Sequence, residues 1–174
     1  GIRDLVRSRG LGDVYKRQES QSSPNALLYR WNCAATTAIY FAHCSKNVYG
    51  LVHAGWRGLV YGVLESASQL IYKNGYKLHD FEIFIGPSIQ KCCFEIRDDI
   101  VGNFKIECVT PTQQNGKYKV DLQYQACREM MQMGFKKKQI KVSTDCTYCS
   151  QEKYHSFRRD GKNAGRMIGL IGSV

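Results

Sequence analysis

An α+β fold with mixed β-sheets flanked by helices is what the order of apolar segments predicts. Three observations carry that expectation. Short runs rich in β-branched and aromatic residues recur between residues 26 and 171, with the length and composition of buried strands. Two longer stretches, 59–71 and 122–133, repeat their apolar residues at helical spacing instead. The strands come both as hairpin-like neighbours and as strand–helix units, so a mixed sheet suits them better than a pure one.

Taken in order, residues 1–18 show no clean periodicity and read as a non-native leader outside the fold. Residues 19–25 are a polar loop with Ser and Pro. Strands are expected at 26–30, 37–42 and 48–52, the last leading into His53-Ala54-Gly55-Trp56-Arg57-Gly58. That hexapeptide is a strand-to-helix turn, and the helix after it should stop near Gly75, a C′ residue. A strand follows at 81–85, broken by Gly86-Pro87. Another is expected at 94–96, then a short helix over 98–104 with Asp98 and Asp99 at its positive end. Asn115-Gly116 is a turn signal before a strand at 117–120. Asp121 should cap the helix 122–133, and Gly134 should end it. Residues 140–143, 154–157 and 167–171 read as late strands.

At 174 residues and 43% hydrophobic content, residues 19–174 form one globular domain with a sizeable core. No apolar run is long enough to cross a bilayer, and no signal-peptide pattern is present, which points to a cytoplasmic protein. Eight Cys without a repeating framework in so long a chain read as reduced thiols rather than as a disulfide scaffold. The net charge is +10, of which the first eighteen residues supply +3. Lys136-Lys137-Lys138 is a solvated run, and no aromatic-interleaved basic strip supports specific nucleic-acid binding.

The chemistry centres on the hexapeptide. His53 stands at the carboxyl end of its strand, where open α/β architectures place ligands. Arg57 adds a guanidinium beside a helix N-terminus, and Trp56 an aromatic platform. Arg158 and Arg159 are adjacent, so one is expected to anchor structure while the other faces an anion. Cys146-Thr147-Tyr148-Cys149 is a C-x-x-C with no second C-x-x-C to complete a four-ligand zinc site, and Cys92-Cys93 reads as packing.

The hexapeptide with its amphipathic helix, Ile85-Gly86-Pro87-Ser88-Ile89 followed by Cys92-Cys93-Phe94-Glu95-Ile96, Asp145-Cys146-Thr147, Ser156-Phe157-Arg158-Arg159-Asp160-Gly161 and Gly165-Arg166-Met167 occur in that order. Together they resemble the YfiH family, also called laccase-domain or polyphenol-oxidase-like proteins. The resemblance implies a layered sandwich of mixed sheets and helices, incomplete here at its N-terminus, where the family carries further strands and a first metal-binding His. It implies zinc held by Cys33 and His53. Cys33 lies in Trp31-Asn32-Cys33-Ala34-Ala35, which departs from the family's A-D-C-x-P, and an ungapped match puts Thr36 there instead.

The activity implied is zinc-dependent cleavage of purine nucleosides by phosphate, with adenosine deamination beside it. His53, Cys33 and Arg57 would be catalytic, and phosphate would be bound by Arg57, Arg158, Arg159 or Arg166. The partners are then a purine nucleoside and phosphate, without specific nucleic acid or membrane. Three other readings stay open: copper-dependent phenol oxidation, a hydrolase of peptidoglycan precursors with Cys33 as nucleophile and His53 as its base, and an inactive fragment. Four scattered His cannot build the His-rich copper cluster of a blue multicopper oxidase.

Overall fold

The computed structural model describes residues 26–32, as backbone, and 36–172. The expected leader 1–18, the loop 19–25 and Cys33 lie outside the described residues.

The apolar runs become nine strands among the described residues: β1 Ala26–Asn32, β2 Thr36–His43, β3 Tyr49–Gly55, β4 Phe81–Ile85, β5 Glu95–Arg97, β6 Val109–Pro111, β7 Lys117–Val120, β8 Ile140–Val142 and β9 Arg166–Gly172. The central sheet has the order β3-β2-β4-β8. Its first three strands pair antiparallel, and β8 joins β4 in parallel. Strands β1 and β9 form an antiparallel ribbon, and β5-β7-β6 form a small antiparallel sheet.

The faces of the central sheet follow from alternation. Along β4, Phe81, Ile83 and Ile85 are buried while Glu82 and Phe84 are exposed. The buried set joins Val52 and Ala54 of β3 in the main core. That core is closed by Leu64, Ala67 and Ile71 of α2 (Val63–Lys73) and by Leu122, Ala126 and Met130 of α4 (Leu122–Met133). On the opposite face, Ala38 and Leu51 pack with Tyr40 and with Met167 and Ile171 of the ribbon. The molecule is thus layered as helices, central sheet and ribbon, the mixed α+β arrangement expected.

The long first helix is divided: α1 spans Trp56–Val60, and α2 begins after Gly62, whose φ of +80° is left-handed. Apolar spacing runs through the break, so periodicity did not reveal it. Gly75 and Gly134 adopt left-handed angles at the ends of α2 and α4, as expected. Residues 154–157 form no strand; Phe157–Asp160 is a one-turn helix, α5. The helix begun by Asp98 is α3, Asp98–Val101, shorter than predicted. Strand β6 was not anticipated, because its three residues show no alternation and Pro111 ends it.

One buried side chain sets the parallel pairing of β8. Gln139 Nε2 donates to the carbonyls of Leu78 (3.0 Å) and Phe81 (2.6 Å), and its Oε1 accepts from the Lys136 N–H at 2.8 Å. The starts of β4 and β8 are thereby joined. No described helix is long and apolar enough to cross a membrane.

Asp121 caps α4 by accepting the Tyr124 N–H at 2.8 Å. Replacing it with Ala should lower stability by about 1 kcal/mol. Thermal unfolding should then move down by roughly 2–4 °C, with an unchanged urea m-value.

Candidate functional site

His53 is placed by the β2–β3 register. Thr36 pairs with Gly55 and Ala38 with His53. Because Val52 and Ala54 belong to the helix-side core, alternation turns His53 and Gly55 to the side of Leu51, which the β1–β9 ribbon covers. Burial lowers the pKa of this imidazole to about 4, so it is neutral at physiological pH and has a lone pair to offer a metal. A Cβ built on Gly55 would stand 3.1 Å from the Thr36 methyl and 3.9 Å from His53 Nε2. Thr36 and His53 therefore flank one small space, and glycine keeps it open.

The ribbon carries one other expected residue. Asn32, which precedes Cys33, pairs with Arg166. The Arg166 guanidinium donates to the carbonyls of Ala164 and Gly165 (3.2 and 3.3 Å) and is exposed. Behind it the His155 ring lies over Gly165, where a Cβ would meet Nε2 at 2.5 Å. His155 was not singled out from the sequence; the tight contact with Gly165 exists only in the fold.

Arg57 is exposed, its guanidinium 4.7 Å from the centre of the Trp56 ring, which itself packs on Phe104. Since α1 has only five residues, its dipole is small, and the charge at this corner is chiefly that of Arg57.

The two adjacent arginines make very different contacts. Arg159 makes five hydrogen bonds: Nε and Nη2 to the Asp160 carboxylate (2.8 and 2.9 Å), Nη1 to the carbonyls of Thr147 and Tyr148 (2.9 and 2.8 Å), and Nη2 to Tyr154 O (2.9 Å). In return its guanidinium holds the Asp160 carboxyl below the usual carboxylate range. Arg159 is the anchor. Arg158 is exposed, donates once to Glu95 O at 2.9 Å and stacks 5.5 Å from the Phe94 ring centre.

A second assembly was missed. Cys92, Cys93, Cys146 and Cys149 converge, all four sulfurs within 4.8 Å of one another, and could hold a metal ion. The C-x-x-C does find partners: the vicinal pair stands in for the second C-x-x-C. An open depression of about 580 Å³ lined by Cys149, Ser150, Gln151, Glu152 and Lys153 adjoins these thiols and includes neither His53 nor the arginines.

Residues 24–173 match the family described as multi-copper polyphenol oxidoreductase laccase. The chain is similar to the purine nucleoside phosphorylase YlmD of Geobacillus stearothermophilus, with 32% identity over 144 residues, 77% of this chain and 52% of that protein. It is also similar to adenosine deaminase RL5 from an unknown prokaryotic organism, 28% identical over 88% of this chain and 64% of that one. The solved structure of the hypothetical protein YfiH of Bacillus licheniformis superposes with a TM-score of 0.75 at 28% identity, covering 84% of this chain and 56% of that chain. The chain spans about half the length of the curated relatives it matches.

Two outcomes follow from these contacts. In metal-free protein, the unfolded chain protonates His53 below pH 6.5, whereas the folded one resists until about 4, so the unfolded state binds the extra proton between those values. The His53 contribution to stability, read by urea titration as the difference between the unmutated chain and His53→Gln, should be level above pH 6.5 and fall toward pH 4, by at most roughly 3 kcal/mol. Arg159→Lys should cost about 2 kcal/mol or more, read by thermal unfolding, while Arg158→Lys should leave stability nearly unchanged.

Proposed function

Because the chain belongs to the multi-copper polyphenol oxidoreductase laccase family and is similar to proteins named purine nucleoside phosphorylase and adenosine deaminase, we propose that it is part of a zinc-dependent purine nucleoside phosphorylase with adenosine deamination as a second activity. The observation that carries this reading is the neutral, partly buried His53 on the ribbon-covered face. The strand that ends just before Cys33 belongs to that same ribbon.

The donor set suits zinc, since an imidazole kept neutral competes with no proton. Cys33 and His53 would hold the ion, which supplies Lewis acidity to a bound oxygen or ring nitrogen. The remaining work falls to the chain's own groups. Arg57, Arg158 and Arg166 are the exposed guanidiniums of the motifs, and two of them gripping one phosphate would fix an oxygen against the ribose anomeric carbon. That oxygen forms the new bond to carbon as the bond to the purine nitrogen breaks. The base leaves with a proton taken up at that nitrogen, and ribose-1-phosphate remains. Trp56, stacked under Arg57, holds that guanidinium at the corner. Arg159 supports the segment that presents Arg158.

The family's description favours one second reading, copper-dependent phenol oxidation. The described His do not gather to support it. His43 accepts from Ser45 and stacks on Tyr76 and Phe81, His79 pairs with Asp80, and His155 lies over Gly165.

Adenosine, inosine and guanosine incubated with and without phosphate, then chromatographed, test the proposal, with the chain taken within its full reading frame. Free base and ribose-1-phosphate should appear only with phosphate, and Arg57→Lys should reduce the rate by about tenfold to a hundredfold. Turnover indifferent to phosphate sinks the phosphorylase. Alkylation of Cys33 by iodoacetamide at the same rate with and without zinc would favour the hydrolase instead.

A further inference from the structure

We propose that Cys92, Cys93, Cys146 and Cys149 form a second metal centre, a tetrathiolate site for one thiophilic divalent cation of the zinc class, which clamps two distant turns together. The inference is independent of the catalytic reading of Cys33 and His53.

The geometry is that of one ion. With Zn–S bonds of about 2.3 Å, the sulfurs of a tetrahedral site stand ~3.8 Å apart. Cys92 Sγ lies 3.8 Å from Cys149 Sγ, and Cys93 Sγ lies 3.3 Å from it. All four sulfurs fall within 4.8 Å of one another, closer than the cysteines of a multi-iron cluster sit.

The two turns are already aligned for the purpose. After Ser88, the chain doubles back through hydrogen bonds from the N–H groups of Cys93 and Phe94 to Gln90 O (2.9 and 2.8 Å), which brings the vicinal thiols toward the same place. Ser88 bridges to Cys146, and the Thr147 N–H donates to Ser88 O at 3.0 Å. The Gln90 N–H points at Cys146 Sγ at 3.5 Å. The N–H groups of Tyr148 and Cys149 are hydrogen-bonded to the same sulfur. Donation from residues two and three places onward to the first Cys of a C-x-x-C is how a turn stabilises a metal-bound thiolate.

On binding, each thiol gives its proton to solvent and its sulfur lone pair to the ion; nothing is oxidised or reduced. The clamp would tie the turn preceding Phe94 and Glu95 to the loop whose Thr147 and Tyr148 carbonyls hold Arg159. Arg158 reaches the first of those segments and Arg159 the second. A solvent-facing side formed by Cys92 and Cys149, both exposed, leaves an entry path.

The test is cobalt substitution in reduced protein carrying Cys33→Ser and His53→Ala, which removes the other candidate site. Zinc should remain by elemental analysis, and cobalt should give a thiolate-to-metal charge-transfer band with intense tetrahedral d–d bands. Both should be lost in Cys93→Ser and in Cys149→Ser. Should those variants fail to fold, peptide-mapped alkylation of the unmutated chain decides: all four thiols should be protected by zinc and exposed by chelation. Absence of the cobalt spectrum, equal alkylation with and without zinc, or a Cys93–Cys149 disulfide in the isolated reduced-buffer protein overturns the site.

Discussion

The register between β2 and β3 is the constraint on which the rest depends. Pairing Ala38 with His53 and Thr37 with Ala54 sends Val52 and Ala54 into the helix-side core and His53 to the ribbon. A slip of one residue would exchange those faces and drive an imidazole among Leu64, Ala67 and Ile71. The apolar residues of β3 therefore do the positioning. They fix the strand strongly enough that a polar side chain can be held partly buried, neutral and beside a ribbon.

The second organising contact is Arg159. Its five bonds collect Tyr154, Asp160 and the carbonyls after Cys146 into one unit. A partly buried guanidinium is tolerable when its donors are satisfied by carbonyls and a bidentate carboxylate. Arg158, one residue along, turns outward over Phe94 and Glu95. Two identical side chains thus take opposite roles because a one-turn helix points them in different directions.

Most of the fold was legible because its signals are local. Alternation marks β4, Asp121 marks the start of α4, and Gly75 and Gly134 mark helix ends. The misses are equally physical. The α1–α2 break is carried by Gly62 alone, within an unbroken apolar pattern. Residues 154–157 resemble a strand, yet the Asp160 carboxylate accepts the Ser156 N–H at 3.3 Å, and the chain turns. In β6, three residues are too few for periodicity to speak.

By itself, the sequence determined the order of the longer strands and helices, the cap of α4, the strand-to-helix turn after His53 and the motifs of its family, since each rests on neighbours a few residues apart. Only the tertiary structure decided which face of β3 carries His53, which arginine is spent on carbonyls, and that Cys92-Cys93 meets Cys146 and Cys149. The last of these requires groups more than fifty residues apart in the chain to approach closely, and the other two depend on which register and which turn the folded chain adopts. No spacing rule along a sequence records such a meeting; it follows from how sheets, ribbon and turns close on one another.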